Sequence, residues 1–221
     1  MTLLVNTIIQ IIVFIGAVYL VCFLISIMNR LFYKCVNGNR IVCYATGLIG
    51  TPIHELSHAF FCLVFFHKIT EIKLFQIDEE TGILGYVNHS YNRRNIYHQI
   101  GNYFIGVAPI IGGTLVLYFS LNLLVPSVYQ NMSSHMDKLS LVLNKGSYDI
   151  VPSALFMTLK GFITSFMAGN LTDIRWWLFL IISFCIALHM NLSGADIKGS
   201  IIAIPFIAIL LLIINFILYF V

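Results

Sequence analysis

A His-Glu-x-x-His motif, formed by His54, Glu55 and His58, lies in an apolar part of this chain, directly before the apolar segment 59–66. On a helix, positions i and i+4 share a face, so His54 and His58 can bind one Zn²⁺. Glu55 then lies beside the metal, where it can take a proton from a bound water. Ionisable groups inside a membrane are costly and are functional by default. The motif therefore predicts a catalytic zinc site on an apolar helix.

A catalytic zinc usually has three protein ligands and a water, so the motif lacks one ligand. We predict that this ligand is Asp196, which lies in the short polar break 189–199 between two apolar runs. Its alternative role is to cap the last helix or to pair with Lys198. His189 can instead be the ligand, a group that orients Asp196 or a substrate, or a core histidine. Asp173 precedes an apolar helix, and we expect it to cap that helix.

Two further residues of the polar break, Asn191 and Ser193, can donate hydrogen bonds near this site. Other zinc peptidases with this motif use a downstream glutamate as the third ligand, but no glutamate follows Glu80 in this chain. This absence favours the aspartate.

The composition is that of an integral membrane protein. The 221 residues are 59% hydrophobic and only 10% charged, with a mean hydropathy of +0.93, whereas a soluble domain has about a quarter charged residues. We expect a multi-pass protein of the cell (plasma) membrane, with the lipid bilayer as its surroundings. The net charge of +3 is spread over several loops, so nucleic acid is not expected as a partner. Nothing in the sequence indicates an oligomeric state.

The hydropathy pattern predicts an all-α polytopic fold with about five transmembrane helices in one membrane-embedded domain, 1–221. Apolar runs long enough to cross about 30 Å of hydrocarbon occur at 8–28, 41–66, 101–125, 173–191 and 200–221. The first run lacks a basic start and a small-residue cleavage site, which predicts a retained span and not a signal peptide. In the second run, Thr51-Pro52 predicts either the start of a new helix or a proline kink.

Two further elements are predicted outside these spans. Segments 71–77 and 83–88 have the composition of strands, with a turn at 78–82, which predicts a small β-hairpin after the zinc-motif helix. The hairpin either connects two spans or holds an extended substrate along its edge. Segment 153–168 has an apolar helical stripe with polar residues between, which favours an interfacial or bundle-packed amphipathic helix.

Whether the helix at 153–168 crosses the membrane decides whether Asp196 can reach the motif. If this helix does not cross the membrane, two further crossings return the chain to the side on which the zinc-motif helix ends. Asp196 and the hairpin then lie on one side of the membrane. If the helix does cross, Asp196 lies on the opposite side.

These features together resemble the site-2 protease family of intramembrane zinc metalloproteases. The matching features are Gly-Thr-Pro-Ile-His-Glu-Leu-Ser-His-Ala at 50–59, the hairpin, the third span with Pro109 and Gly112-Gly113, and a late aspartate followed by glycine at 196–199. The family's late motif usually reads Asn-Pro followed by Leu-Asp-Gly, whereas 196–199 reads Asp-Ile-Lys-Gly. The resemblance covers 41–125 and 173–200, a minimal core with no PDZ-like or CBS-like domain.

The resemblance implies that His54, His58 and Asp196 bind one Zn²⁺ per chain and that Glu55 activates a water. It implies a zinc endopeptidase that cleaves transmembrane or juxtamembrane segments of protein substrates. Two alternatives remain open. One is a non-proteolytic membrane scaffold or carrier with a structural zinc or no metal, and the other is a zinc peptidase that acts on soluble or juxtamembrane segments.

Overall fold

A computed structural model describes residues 2–78, 80, 82–144 and 150–220 of the chain. Over these residues the chain is mostly helical, with seven helices and one two-stranded antiparallel sheet. In chain order the elements are α1 (Thr2–Cys35), α2 (Arg40–Val64), β1 (Lys68–Lys73), β2 (Tyr86–Ser90), α3 (Ile96–Leu124), α4 (Pro126–Asn144), α5 (Val151–Met167), α6 (Ile174–His189) and α7 (Gly194–Phe220).

Three helical segments are long and apolar enough to cross a membrane: Thr7–Cys35, Ile96–Leu124 and Gly194–Ile217. Helix α6 has 16 residues, which is about 24 Å at 1.5 Å per residue and short of a 30 Å hydrocarbon core. Helix α2 is longer, with 25 residues, but it carries the polar groups of the zinc motif. The fold thus has the helical, apolar character predicted for a membrane protein, and a total of five spans stays a prediction.

The chain divides into two compact units, and each has its own core. The first unit comprises Met1–Thr114 and Phe184–Val221, and the second comprises Leu115–Ser183. The buried cluster of the first unit consists of Cys22, Tyr103, Val107, Leu192, Ala203 and Ile207. The buried cluster of the second unit consists of Leu121, Val125, Val128, Trp176 and Phe179. Every residue of the predicted metal site belongs to the first unit.

Helix α2, which carries the zinc motif, is continuous through Pro52. It begins after Asn39, whose side chain accepts a hydrogen bond from the Ile41 N–H. No new helix begins at Pro52, so the proline lies within one helix. Proline removes one hydrogen bond of the helical ladder, and close packing supports the helix here. A Cβ atom on Gly50 would lie only 2.7 Å from Cβ of His189, so only glycine permits this approach.

The hairpin after α2 is present, but its strands lie farther from the turn than predicted. The predicted strands 71–77 and 83–88 are Lys68–Lys73 and Tyr86–Ser90 in the structure. The strands pair in antiparallel register from Lys68 opposite Ser90 to Lys73 opposite Tyr86, with an irregularity between Ile69 and Glu71. The first strand begins early because α2 ends in a tight turn directly before it.

In the second unit, α4 is a helix that the apolar pattern does not predict. Its polar residues interrupt the apolar run, although Pro126 at its first position is a helix-start signal. The predicted helix 153–168 is present as α5, and α4 and α5 pack along each other.

The predicted apolar stripe of α5 is not its packing face. The buried residues of α5 are the small or polar Thr158, Gly161 and Ser165. Leu155, Leu159 and other apolar residues are exposed. Small residues between helices and apolar residues facing outward are typical of helices in contact with lipid.

Candidate metal centre

Three side chains from two helices converge in the first unit. His54 and His58 lie on α2, Asp196 lies in the first turn of α7, and their ligand atoms all lie within 4.8 Å of one another. His54 Nε2 is 3.1 Å from His58 Nε2, and Asp196 is 3.4 Å from His58 and 4.0 Å from His54. The structure thus brings Asp196 to the histidines, whereas the number of membrane crossings between them stays a prediction.

The His54 ring is oriented by the end of α6. His54 Nδ1 lies 2.6 Å from the backbone oxygen of His189, and because a carbonyl can only accept, Nδ1 carries the proton. His189 is the last residue of α6, and the last carbonyls of a helix have no partner within it. The unpaired end of one helix therefore fixes the imidazole of another and leaves Nε2 free to bind a metal.

The His58 ring is oriented by a carbonyl that a proline leaves unpaired. His58 Nδ1 donates to the backbone oxygen of Ile105 at 2.7 Å. In an α-helix this oxygen would accept from residue 109, which here is Pro109, within α3, and has no N–H. Pro109 therefore frees an acceptor for His58.

The Asp196 carboxylate is held by a reciprocal cap at the start of α7. The Asp196 N–H donates to Ser193 Oγ at 3.2 Å, and the Ser193 N–H donates to Asp196 Oδ2 at 2.8 Å. This is the capping-box arrangement, in which the third helical residue and the cap residue satisfy each other. The ligand and capping hypotheses for Asp196 are thus compatible, because Oδ2 takes part in the cap while Oδ1 faces His58.

The other residues singled out from the sequence have different positions. The His189 ring lies outside the three-residue group, with Thr46 Oγ1 3.1 Å from Nε2 and Thr51 Oγ1 3.4 Å from Nδ1. It is thus held against α2, and its backbone oxygen contacts the site. Asn191 is exposed and lines a neighbouring cavity. In the second unit, Asp173 caps α6 as predicted, because its Oδ1 accepts the Arg175 N–H at 2.9 Å.

Glu55 is only 6% exposed and lines a cavity of about 210 Å³ beside the three ligands. The cavity is also lined by Gly85 and the strand residues Tyr86–His89. A Cβ atom on Gly85 would lie 2.9 Å from Cγ of Glu55, so glycine allows the hairpin to approach the acid closely. No described residue hydrogen-bonds to the Glu55 carboxylate, which leaves it free to exchange a proton with a molecule in the cavity.

The donor set fits a metal ion. Both Nδ1 atoms donate to carbonyls, so when both rings are neutral their Nε2 atoms present lone pairs to each other at 3.1 Å. Two such lone pairs repel unless a cation lies between them. The donors of a tetrahedral zinc with bonds of 2.0–2.1 Å lie about 3.3 Å apart. The His54–His58 separation of 3.1 Å and the 3.4 Å from His58 Nε2 to Asp196 Oδ1 are close to that value, and one ligand atom from each of the three residues lies within 4.8 Å of the others.

A second histidine pair, His67 and His89, lies beside the cavity and was not predicted as functional. Their Nδ1 atoms are 3.0 Å apart, and His89 lines the cavity. The only sequence signal is their position at the hairpin. His67 lies directly before β1, and His89 lies near the end of β2.

Comparison with protein-family models, with curated proteins and with solved structures gives no match to this chain. Its function is therefore inferred from the geometry of the site.

Proposed function

We propose that this protein is an intramembrane zinc metalloendopeptidase of the site-2 protease type. The observation that carries the proposal is the convergence of His54, His58 and Asp196, with both Nε2 lone pairs unpaired, beside the buried Glu55. The apolar helices around this group support a site at membrane depth. We place the chain in the plasma membrane, with α2 and α6 as spans in addition to the three long apolar helices.

One Zn²⁺ held by these three residues would polarise the scissile carbonyl and lower the pKa of a bound water towards about 7. Glu55 accepts the proton of the attacking water and later delivers it to the leaving amine. The partly enclosed cavity limits the access of bulk water, so the carboxylate faces the substrate and not the solvent. The carbonyls of His189 and Ile105 hold the two imidazoles in the tautomer that this arrangement needs.

The hairpin supports an extended substrate. Strand β2 pairs with β1 on one side only and lines the same cavity as His54, His58 and Asp196. A transmembrane or juxtamembrane segment must unwind before cleavage, because its carbonyls are bonded within its own helix. Its freed backbone can then pair with the open edge of β2.

The first test uses the wild-type protein and the variant Glu55→Gln, both purified in detergent. We expect about one zinc per chain in both, and cleavage by the wild type alone. Cleavage is measured by mass spectrometry of new peptide termini in membranes that contain either form. Glutamine has nearly the shape of glutamate but cannot accept the proton, so zinc binding and folding serve as the matched control.

Two outcomes would contradict the proposal. Retained cleavage by Glu55→Gln would eliminate Glu55 as the base. A zinc-free wild-type preparation that folds normally and keeps its biological activity would favour a scaffold or carrier.

A further inference from the structure

The end of α2 places His67 through a strained turn. Phe66 has a φ of 55°, a left-handed conformation that costs a non-glycine residue free energy. The turn is closed by the N–H of His67, which donates to Cys62 O at 2.8 Å, and by the N–H of Phe66, which donates to Leu63 O at 3.2 Å. The Phe66 side chain is 73% exposed, so burial of its ring does not explain the turn. The turn thus fixes the position of His67 at the free-energy cost of the left-handed conformation of Phe66.

The hydrogen bonds of His67 determine the tautomer of His89. His67 is 3% exposed, and its Nε2 lies 3.0 Å from the backbone oxygen of His98. Nε2 must therefore carry the proton, which leaves the Nδ1 of neutral His67 as an acceptor. His89 Nδ1, 3.0 Å away, is then the donor. Its other nitrogen, Nε2, consequently presents a lone pair.

The surroundings of His67 and His89 favour the neutral form of both rings. Burial lowers the pKa of His67, and burial followed by the neighbouring His67 lowers the pKa of His89 to about 4. His89 lines the cavity that contains Glu55 and the three ligands, and no described residue hydrogen-bonds to its Nε2. The group of three ligands found among the described residues does not include His89. An acceptor without a described partner thus lies in the part of the cavity lining that the hairpin contributes.

We propose that His89 is a substrate-positioning residue whose Nε2 accepts a hydrogen bond from a backbone N–H of the bound peptide, and that His67 fixes the tautomer this requires. The inference rests on the proposed peptidase function and adds a contact on the hairpin side of the cavity. A peptide bound between the walls would present its carbonyl to the ligand side and an adjacent N–H to His89.

The test measures the binding of two probes to the full-length zinc-loaded protein. One is a dipeptidyl hydroxamate, which binds zinc through its hydroxamate group. The other is the same compound methylated at its backbone amide nitrogens, which therefore lacks those N–H groups. We expect the wild type to prefer the first probe by about tenfold, the order of one hydrogen bond. His89→Ala should reduce this preference to the part that comes from pairing with the edge of β2, with unchanged zinc content.

Further variants separate positioning from a structural role. His89→Gln keeps an acceptor near the position of Nε2 and should restore most of the preference. His67→Ala should reduce it, whereas His67→Gln can still accept from His89 and should retain more of it. His98→Ala keeps the backbone oxygen that accepts from His67 and should keep most of the preference, although it removes a ring 5.3 Å from that of His67. Isotope-edited NMR of the histidine nitrogens should show the His89 tautomer changing in His67→Ala.

The outcomes distinguish this inference from the proposed function. A preference that is as large in His89→Ala as in the wild type overturns the role of His89 and leaves the zinc site intact. Loss of zinc in His89→Ala would make His89 a ligand and also overturn the role. A wild-type protein that binds neither zinc nor the probes overturns the peptidase proposal together with this inference.

Discussion

The two histidine pairs of the first unit have nearly the same separation and opposite hydrogen bonding. His54 and His58 face each other through Nε2 atoms at 3.1 Å, and His67 and His89 through Nδ1 atoms at 3.0 Å. In the first pair each ring donates its only proton to a backbone carbonyl. In the second pair only His67 does so.

The number of protons between the two rings determines what each pair can bind. The first pair has two lone pairs and no proton between its rings, and Asp196 adds a carboxylate 3.4 Å from His58. A cation between the two rings, either a metal ion or a shared proton, would satisfy both lone pairs. The second pair has one donor and one acceptor between its rings, so it is satisfied without a metal and can orient a free nitrogen toward the cavity. In each pair, one nitrogen of each ring faces away from the other histidine. The groups bonded to these nitrogens thus indicate what the pair can bind better than the distance between the rings does.

The largest expected effect is on metal content. His54→Ala, His58→Ala and Asp196→Ala should each reduce bound zinc from about one per chain to near zero, because two ligands hold zinc poorly. His67→Ala and His89→Ala should keep the full amount. Metal analysis of the purified variants, with circular dichroism to check folding, measures this contrast. Zinc loss in the second group of variants, or retention in the first, would remove the distinction between the pairs.

A smaller effect is expected from Pro109→Ala. The new N–H at position 109 would compete for the Ile105 oxygen, and the hydrogen bond that orients His58 would weaken. Loss of such a second-layer partner typically lowers metal affinity by about 10–100-fold, so a competition titration with a chelator should show a decrease of at least the lower value. Pro205→Ala is the matched control, since Pro205 also lies within a helix, α7. Equal zinc affinities in the two variants would show that Pro109 acts only through packing.

Periodicity and local signals were sufficient to predict several parts of this structure. The i, i+4 spacing places His54 and His58 on one face, and long apolar runs predict α1, α3 and α7. The cap at Asp173 follows from its position before an apolar helix, and two strand-like segments around a turn predict the hairpin. Each of these depends on residues close together in the sequence. By contrast, the roles of these elements as membrane spans and the metal itself stay predictions.

The parts that were missed or displaced depend on contacts between distant residues. The sequence alone does not show that the carbonyls of His189 and Ile105 face the two imidazoles, although a proline four residues after Ile105 is a usable signal. The continuity of α2 through Pro52 depends on packing against His189, and the pairing of His67 with His89 depends on hairpin register. The polar helix α4 lacks the apolar run on which span prediction relies.

The smallest effect is expected from Ser193→Ala. This substitution acts on Asp196, the acid beside the first histidine pair that the second pair lacks. The substitution removes the hydroxyl that accepts the Asp196 N–H, but the backbone N–H of residue 193 can still donate to Asp196 Oδ2. Loss of a cap side chain costs about 1 kcal/mol of helix stability, and we expect zinc affinity to fall only a few-fold. Ser193→Thr keeps the hydroxyl and serves as the control in the same chelator titration. An unchanged affinity in Ser193→Ala would mean that the remaining backbone donor alone holds the carboxylate toward His58, whereas complete zinc loss would mean that the cap determines whether Asp196 reaches the histidines at all.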